Sequence, residues 1–183
     1  MNDWPKVRWT QARQVTQLMG VKDGDAPAEE VRPAAWCATL RDDGRLDEAL
    51  SFVGHALPRF EGVAWAAAAI DDMRGGPAAA GDGPAMAAIR SWIADPDDDG
   101  RRAIWAAADG DDEQSPERLL AYAVFLSGGS ISAPEQAAVN PQPELSGRLA
   151  AAAVMTAAYR TADPAAALAA ALAAGEAAAR GVD

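Results

Sequence analysis

The stretch Asp47-Glu48-Ala49-Leu50-Ser51-Phe52-Val53-Gly54-His55-Ala56-Leu57-Pro58, running on into Arg59-Phe60-Glu61-Gly62-Val63-Ala64-Trp65-Ala66-Ala67-Ala68-Ala69-Ile70, decides the fold. Leu46, Ala49, Leu50, Val53 and Leu57 recur at three- and four-residue spacing, which gathers them on one face of a helix. Pro58 disfavours helical geometry at Leu57 and must end that helix. Val63, Ala66, Ala67 and Ile70 then resume the same spacing. Two apolar faces joined by almost no loop have to pack on each other or on a third helix. The expected fold is therefore all-α: one compact domain over residues 1–183, a bundle of about seven to nine helices.

Outward from this pair, start and stop signals place the other helices. Thr10 is read as the N-cap of a first helix that Gly20 ends, and Pro33 sits in the first turn of a helix reaching Leu40. Residues 1–7 read as a flexible N-terminal segment. Ala78 to Pro84 is a Gly/Ala/Pro connection, and Pro84 opens a helix with Met86, Ile89 and Ile93 on its inner face. Arg101 to Ala108 follows, anchored by Ile104 and Trp105. Ser115-Pro116-Glu117 is a strong start signal for a helix apolar nearly all round, expected to be the central buried one. Gly128-Gly129 stop it and lead into an irregular Gly/Pro-containing connector at 127–143. Residues 144–180 read as a closing helical hairpin, its second helix capped by Asp163. With Leu168 and Leu172 as its only large apolar residues and Glu176 paired to Arg180, that last helix reads as weakly attached.

Composition bounds the function. The 183 residues carry 27 acids against 16 Lys and Arg, a formal charge of −11. That balance argues against nucleic acid and anionic membrane partners, which need clustered Lys and Arg. Half the residues are apolar, but alanine supplies much of that half, so the six tryptophans and scattered leucines must provide most of the driving force. Cys37 is the one cysteine, which rules out an internal disulfide and fits a reducing compartment. It reads as a buried small hydrophobe. The N-terminus shows no basic region followed by an apolar run, and the most apolar window, Leu149 to Ala158, is about half the length of a membrane span. A cytoplasmic location is expected.

No complete catalytic or ligand motif is present. Asp95-Pro96-Asp97-Asp98-Asp99-Gly100 matches the first half of a calcium loop, but Ala106 stands where the bidentate glutamate belongs. The acids equally suit a helix start. Asp109-Gly110-Asp111-Asp112-Glu113 reads as a solvated loop. His55 is the only histidine, placed near Glu48 and Ser51 on the more polar side of its helix. Ser127-Gly128-Gly129-Ser130 lacks both the nucleophile-elbow spacing and a phosphate-loop lysine, and reads as a helix stop.

Two stretches resemble a bacterial family of small helical proteins of unknown function. One is Phe52 to Trp65, with its Ala56-Leu57-Pro58 and following acid and tryptophan. The other is Tyr122 to Pro134 with the Ser-Gly-Gly-Ser turn, followed by Pro141-Gln142-Pro143-Glu144-Leu145 and an alanine-rich helix. The resemblance covers most of residues 8–175. It implies a helical fold, transfers no catalytic residue, and implies an accessory component of larger bacterial assemblies, secretion-related ones included.

The expected function is accordingly a non-enzymatic helical adaptor or accessory protein that binds another protein. Its partner would be held in a groove between helices or at the connector, which is expected to lie against the tryptophan-bearing helices. The residues expected to carry binding are His55, Arg59, Glu61, Trp65, Ser127 and Ser130. No catalytic residue, metal ligand or cofactor is assigned. Alanine-rich faces on the last two helices would also suit a homo-oligomer. The competing expectation is a small-molecule or metal-dependent enzyme or sensor using His55 and nearby carboxylates, which requires a carboxylate within hydrogen-bonding reach of the imidazole.

Overall fold

The computed structural model describes residues 3–76, 83–108, 115–133 and 135–182. Most of the connection read at 78–84, the acidic loop at 109–113 and Pro134 lie outside them. The described residues form nine α-helices and no strand: α1 (Ala12–Leu18), α2 (Pro33–Asp42), α3 (Leu46–Ala56), α4 (Arg59–Met73), α5 (Pro84–Ala94), α6 (Asp98–Ala107), α7 (Pro116–Phe125), α8 (Leu145–Ala158) and α9 (Pro164–Arg180). The all-α expectation holds, and the deciding stretch is two helices broken at Leu57-Pro58, with Leu57 extended at ψ 147°.

Local chemistry sets the boundaries. Asp97, Ser115 and Asp163 each accept a backbone N–H from the first turn of α6, α7 and α9. The first helix starts later than expected: Gln11, not Thr10, is its N-cap, and the Gln14 side chain accepts the Gln11 and Thr10 amides. Gly20 and Gly181 end α1 and α9 at φ +78° and +67°, angles that side chains with a Cβ rarely adopt.

The helices share one buried cluster in which Leu50, Phe52, Val53, Val63, Ile70, Met86, Ile89, Leu120, Val154 and Leu172 are fully or nearly fully enclosed. Three expectations about its layout change. The centre is not α7 alone: α8 packs on α3, α4, α7 and α9. Small residues let it do so. A Cβ on Gly147 would lie 2.2 Å from the Gly54 carbonyl oxygen, and one on Gly54 would lie 2.6 Å from the Gly147 oxygen, so α3 and α8 cross backbone to backbone.

Second, α9 is held firmly. A Cβ on Gly175 would meet Val53 at 2.7 Å, Trp65 donates its Nε1–H to the Ala171 carbonyl at 2.9 Å, and Arg41 donates to both oxygens of buried Glu176 at 2.8 and 3.0 Å. Third, residues 3–7 are not a loose segment. Trp4 is 2 % exposed and packs on Phe52 with ring centroids 6.4 Å apart, Val7 is buried, and the Lys6 amide donates to the Ala179 carbonyl at 3.2 Å.

The connector is fastened by α6. Arg101 donates to the Phe125 carbonyl and, at 2.9 Å, to the Ser130 carbonyl. Arg102 donates to the Ser130 and Ser132 carbonyls at 2.8 Å each. Both guanidiniums also bond Asp98, at 2.6 and 2.8 Å. Trp105, read as a core anchor, is half-exposed and stacks on Tyr122 and Phe125. No helix among the described residues is long and apolar enough to cross a membrane.

Candidate functional site

The break between α3 and α4 makes the site. Because Leu57 is extended and Pro58 turns the chain, the last turn of α3 and the first turn of α4 share one wall, which brings His55, Ala56, Leu57, Pro58 and Arg59 to a single pocket. Arg8 and Trp9 from the N-terminal segment, Leu18 of α1 and Pro143 of the connector line the rest of it. The volume is about 430 Å³, within the usual range for a small-ligand site.

His55 is 7 % exposed, a correction to its expected place on the polar side of its helix. The Gly54–Gly147 crossing buries it: the Cα of His55 lies only 3.3 Å from where a Cβ of residue 147 would stand. Its Nδ1 is 2.7 Å from the Ser51 carbonyl oxygen. A carbonyl can only accept, so Nδ1 carries the proton. Nε2 is then a lone pair, buried and with no hydrogen-bond partner. Burial holds the imidazole below its ordinary pKa; positive Arg148 adds to this, while the Ser51 carbonyl and Glu144 oppose it. The ring is neutral at pH 7.

Around it the charge is cationic. Arg59 spends one N–H on the Ser127 carbonyl at 3.3 Å, and the Arg8 guanidinium lies 4.2 Å from the centroid of the Trp9 ring. Among the described residues neither arginine has a carboxylate within ion-pair distance, whereas Arg41, Arg45, Arg101 and Arg102 do. No lining residue is an acid or a nucleophile. In a chain of net charge −11, this is a small cationic pocket.

Of the six residues singled out from the sequence, His55 and Arg59 line this pocket, and Ser127 does not line it but holds Arg59 through its carbonyl. The other three do not line it. Glu61 is half-buried in the first turn of α4. Trp65 is buried in the core, where its Nε1–H is spent on α9. Ser130 organises the connector, its Oγ accepting from the Ser132 and Val139 amides at 3.1 Å each. The Ser127 hydroxyl itself donates to the Val124 carbonyl at 2.7 Å, the helix-stop role expected of it. The acids at 95–99 do structural work as well: Asp97 caps α6 and Asp98 holds two arginines. Among the described residues no three His, Cys, Asp or Glu side chains come together as a metal site.

Sequence reasoning missed Arg8, Trp9, Leu18 and Pro143. The signal was present in Trp4-Pro5-Lys6-Val7-Arg8-Trp9, two indoles and two cations within six residues of an acidic chain. Such a segment has the means both to dock and to present charge.

Across residues 36–179 the sequence matches DUF6931, a family of unknown function. The chain belongs to that family. The matched span includes the α3–α4 break, His55, Arg59 and Pro143, while Arg8, Trp9 and Leu18 precede it. No curated protein and no solved structure matches the chain.

Proposed function

We propose that this protein is a non-enzymatic recognition protein, an adaptor or accessory component that acts in the cytoplasm by holding part of another protein at the α3–α4 break. The resemblance drawn from the sequence suggests a larger, secretion-related assembly as its setting. One observation carries the proposal: two sequence-chosen residues, His55 and Arg59, line one pocket together with Arg8, and neither arginine has a carboxylate partner among the described residues. Cations that line a pocket without an acidic partner are free to pair with an acidic group of another chain.

The catalytic alternative draws less support. A general base needs the proton it takes, and usually an orienting acid, within hydrogen-bonding distance. The orienting partner of His55 is a backbone carbonyl, and no carboxylate among the described residues is bonded to the ring.

The test is affinity purification from the native cell, comparing the wild-type chain with an Arg8→Gln/Arg59→Gln variant. A partner retained by the first and lost from the second is the expected result. An identical set of retained proteins would defeat the proposal.

A further inference from the structure

The connector is gripped from two helices by arginines, and one carboxylate organises most of the grip. From α6, Arg101 donates to the Phe125 and Ser130 carbonyls, and Arg102 to the Ser130 and Ser132 carbonyls. From α4, Arg59 donates to the Ser127 carbonyl at 3.3 Å. Asp98 accepts from Arg101 at 2.6 and 2.9 Å and from Arg102 at 2.8 Å. A planar guanidinium fixed on a carboxylate can aim its remaining N–H groups only along set directions. The Arg101 side chain is 4 % exposed, so solvent does not compete for those directions.

The turn itself is shaped to sit on this group. Gly129 has φ +63°, and a Cβ there would lie 2.9 Å from both Arg101 Nη2 and Asp98 Oδ1. Backbone therefore rests directly on the ion pair, with no room for a side chain between them. Two residues before Gly129 is Ser127, whose carbonyl holds Arg59, and Arg59 lines the His55 pocket. Asp98 does not line that pocket. Nor is it needed to cap α6, because Asp97 does so.

We infer that Asp98 is a positioning residue for the His55 pocket: by fixing Arg101 and Arg102 it seats the 127–130 turn, and the seated turn sets the direction of Arg59 through the Ser127 carbonyl. The inference rests on the recognition proposal and names what holds the same site in shape from outside it.

The experiment uses the full-length protein without any ligand and compares the wild type with Asp98→Asn, Asp98→Glu and Gly129→Ala. The Nε–H signal of Arg59 is followed by ¹⁵N NMR, and amide hydrogen exchange is read at Ile131 and Ser132, which donate to the Val139 carbonyl and the Ser130 hydroxyl. Asp98→Asn should speed exchange at these two amides about tenfold, the effect of losing roughly one charge-assisted hydrogen bond, and shift the Arg59 signal toward that of a free arginine. Exchange in α3 and α8 should stay unchanged. Asp98→Glu should restore both readouts, since a glutamate three and four residues before the arginines still reaches them. Gly129→Ala keeps every charge and wedges the turn off the ion pair, so it should move Arg59 as Asp98→Asn does; it decides the matter if Asp98→Asn melts early. An Arg59 signal that stays put while Ile131 and Ser132 exchange faster, no change in either readout, or failure of Asp98→Glu to restore them would each overturn the assignment.

These readouts need no partner, which separates the two proposals. If Arg59 moves as described while the Arg8→Gln/Arg59→Gln variant keeps every partner, the recognition proposal falls and the positioning role stands. If Arg59 ignores Asp98 while that variant loses its partner, the positioning role falls and the recognition proposal stands.

Discussion

His55 shows what one residue can and cannot reveal from sequence. Its own helix places it near Glu48 and Ser51, a polar neighbourhood, yet the burial comes from α8, ninety residues further along the chain, and from the absence of a side chain on Gly147. The consequence is a pH dependence whose sign is fixed. The folded-state pKa lies below the ordinary 6.5, so the unfolded chain binds the proton more readily. The stability associated with neutral His55 is complete above pH 6.5 and declines as pH falls through the lowered folded-state value. Burial and positive Arg148 favour the neutral ring, and the Ser51 carbonyl and Glu144 oppose them. Denaturant unfolding measured from pH 7.5 downward should show a steeper loss for the wild type than for His55→Gln, and parallel curves would contradict it. Cys37 is the second residue-scale case, and here the sequence reading as a buried hydrophobe holds. Burial first, then the neighbouring Glu176 carboxylate, push its thiol up to about 12. Thiolate is the reactive form. Alkylation by iodoacetamide should therefore be slow in the folded protein and become fast on unfolding; labelling at equal rates in both states would be the contrary result.

Helices were legible where side chains announce them. Apolar spacing gave α3 and α4, Pro33, Pro84, Pro116 and Pro164 marked first turns, and Ser115 and Asp163 capped the helices they were expected to cap. How those helices pack was harder to read, because it depends on what is missing at Gly54, Gly147 and Gly175. A glycine inside a helix costs about 1 kcal/mol relative to alanine, so its presence there needs a reason, and here the reason is close approach. That signal was available and would have identified α8 and α9 as firmly packed. It also yields a prediction whose sign runs against propensity. Gly147→Ala and Gly54→Ala should each gain helix propensity and yet destabilise the fold by about 1–3 kcal/mol, because the added methyl collides with backbone that has little room to move. Gly128→Ala, with open space around it, should stay within about 0.5 kcal/mol of the wild type. Chemical denaturation of the three variants decides the matter. A stabilised Gly147→Ala would mean that α3 and α8 do not cross as described.

At the scale of the whole molecule, the pocket joins two parts of the chain with different histories of legibility. His55 and Arg59 belong to the span matched by the family, and their stretch carried a readable pattern. Arg8 and Trp9 precede that span and directly follow residues 1–7, which read as flexible because a short, proline-containing segment has no periodicity to interpret. Docking of that region rests on Trp4 against Phe52, on buried Val7 and on the Lys6 amide bonded to Ala179 at the end of α9. The N-terminal segment is thus tied to α3 and α9 before the chain enters α1, and those ties hold the cationic wall over His55. Replacing Trp4 by alanine tests this arrangement. A buried tryptophan removed from a core costs about 3–5 kcal/mol, but a segment near a chain end can release locally, so the global loss is capped by what docking contributes. Trp4→Ala should therefore accelerate amide hydrogen exchange at residues 6–9, while the exchange of α4 and α8 changes little. If exchange rises uniformly through all nine helices, Trp4 is a keystone of the entire core; if it rises nowhere, the segment does not depend on Trp4 for its place and the pocket's outer wall must be held by other contacts.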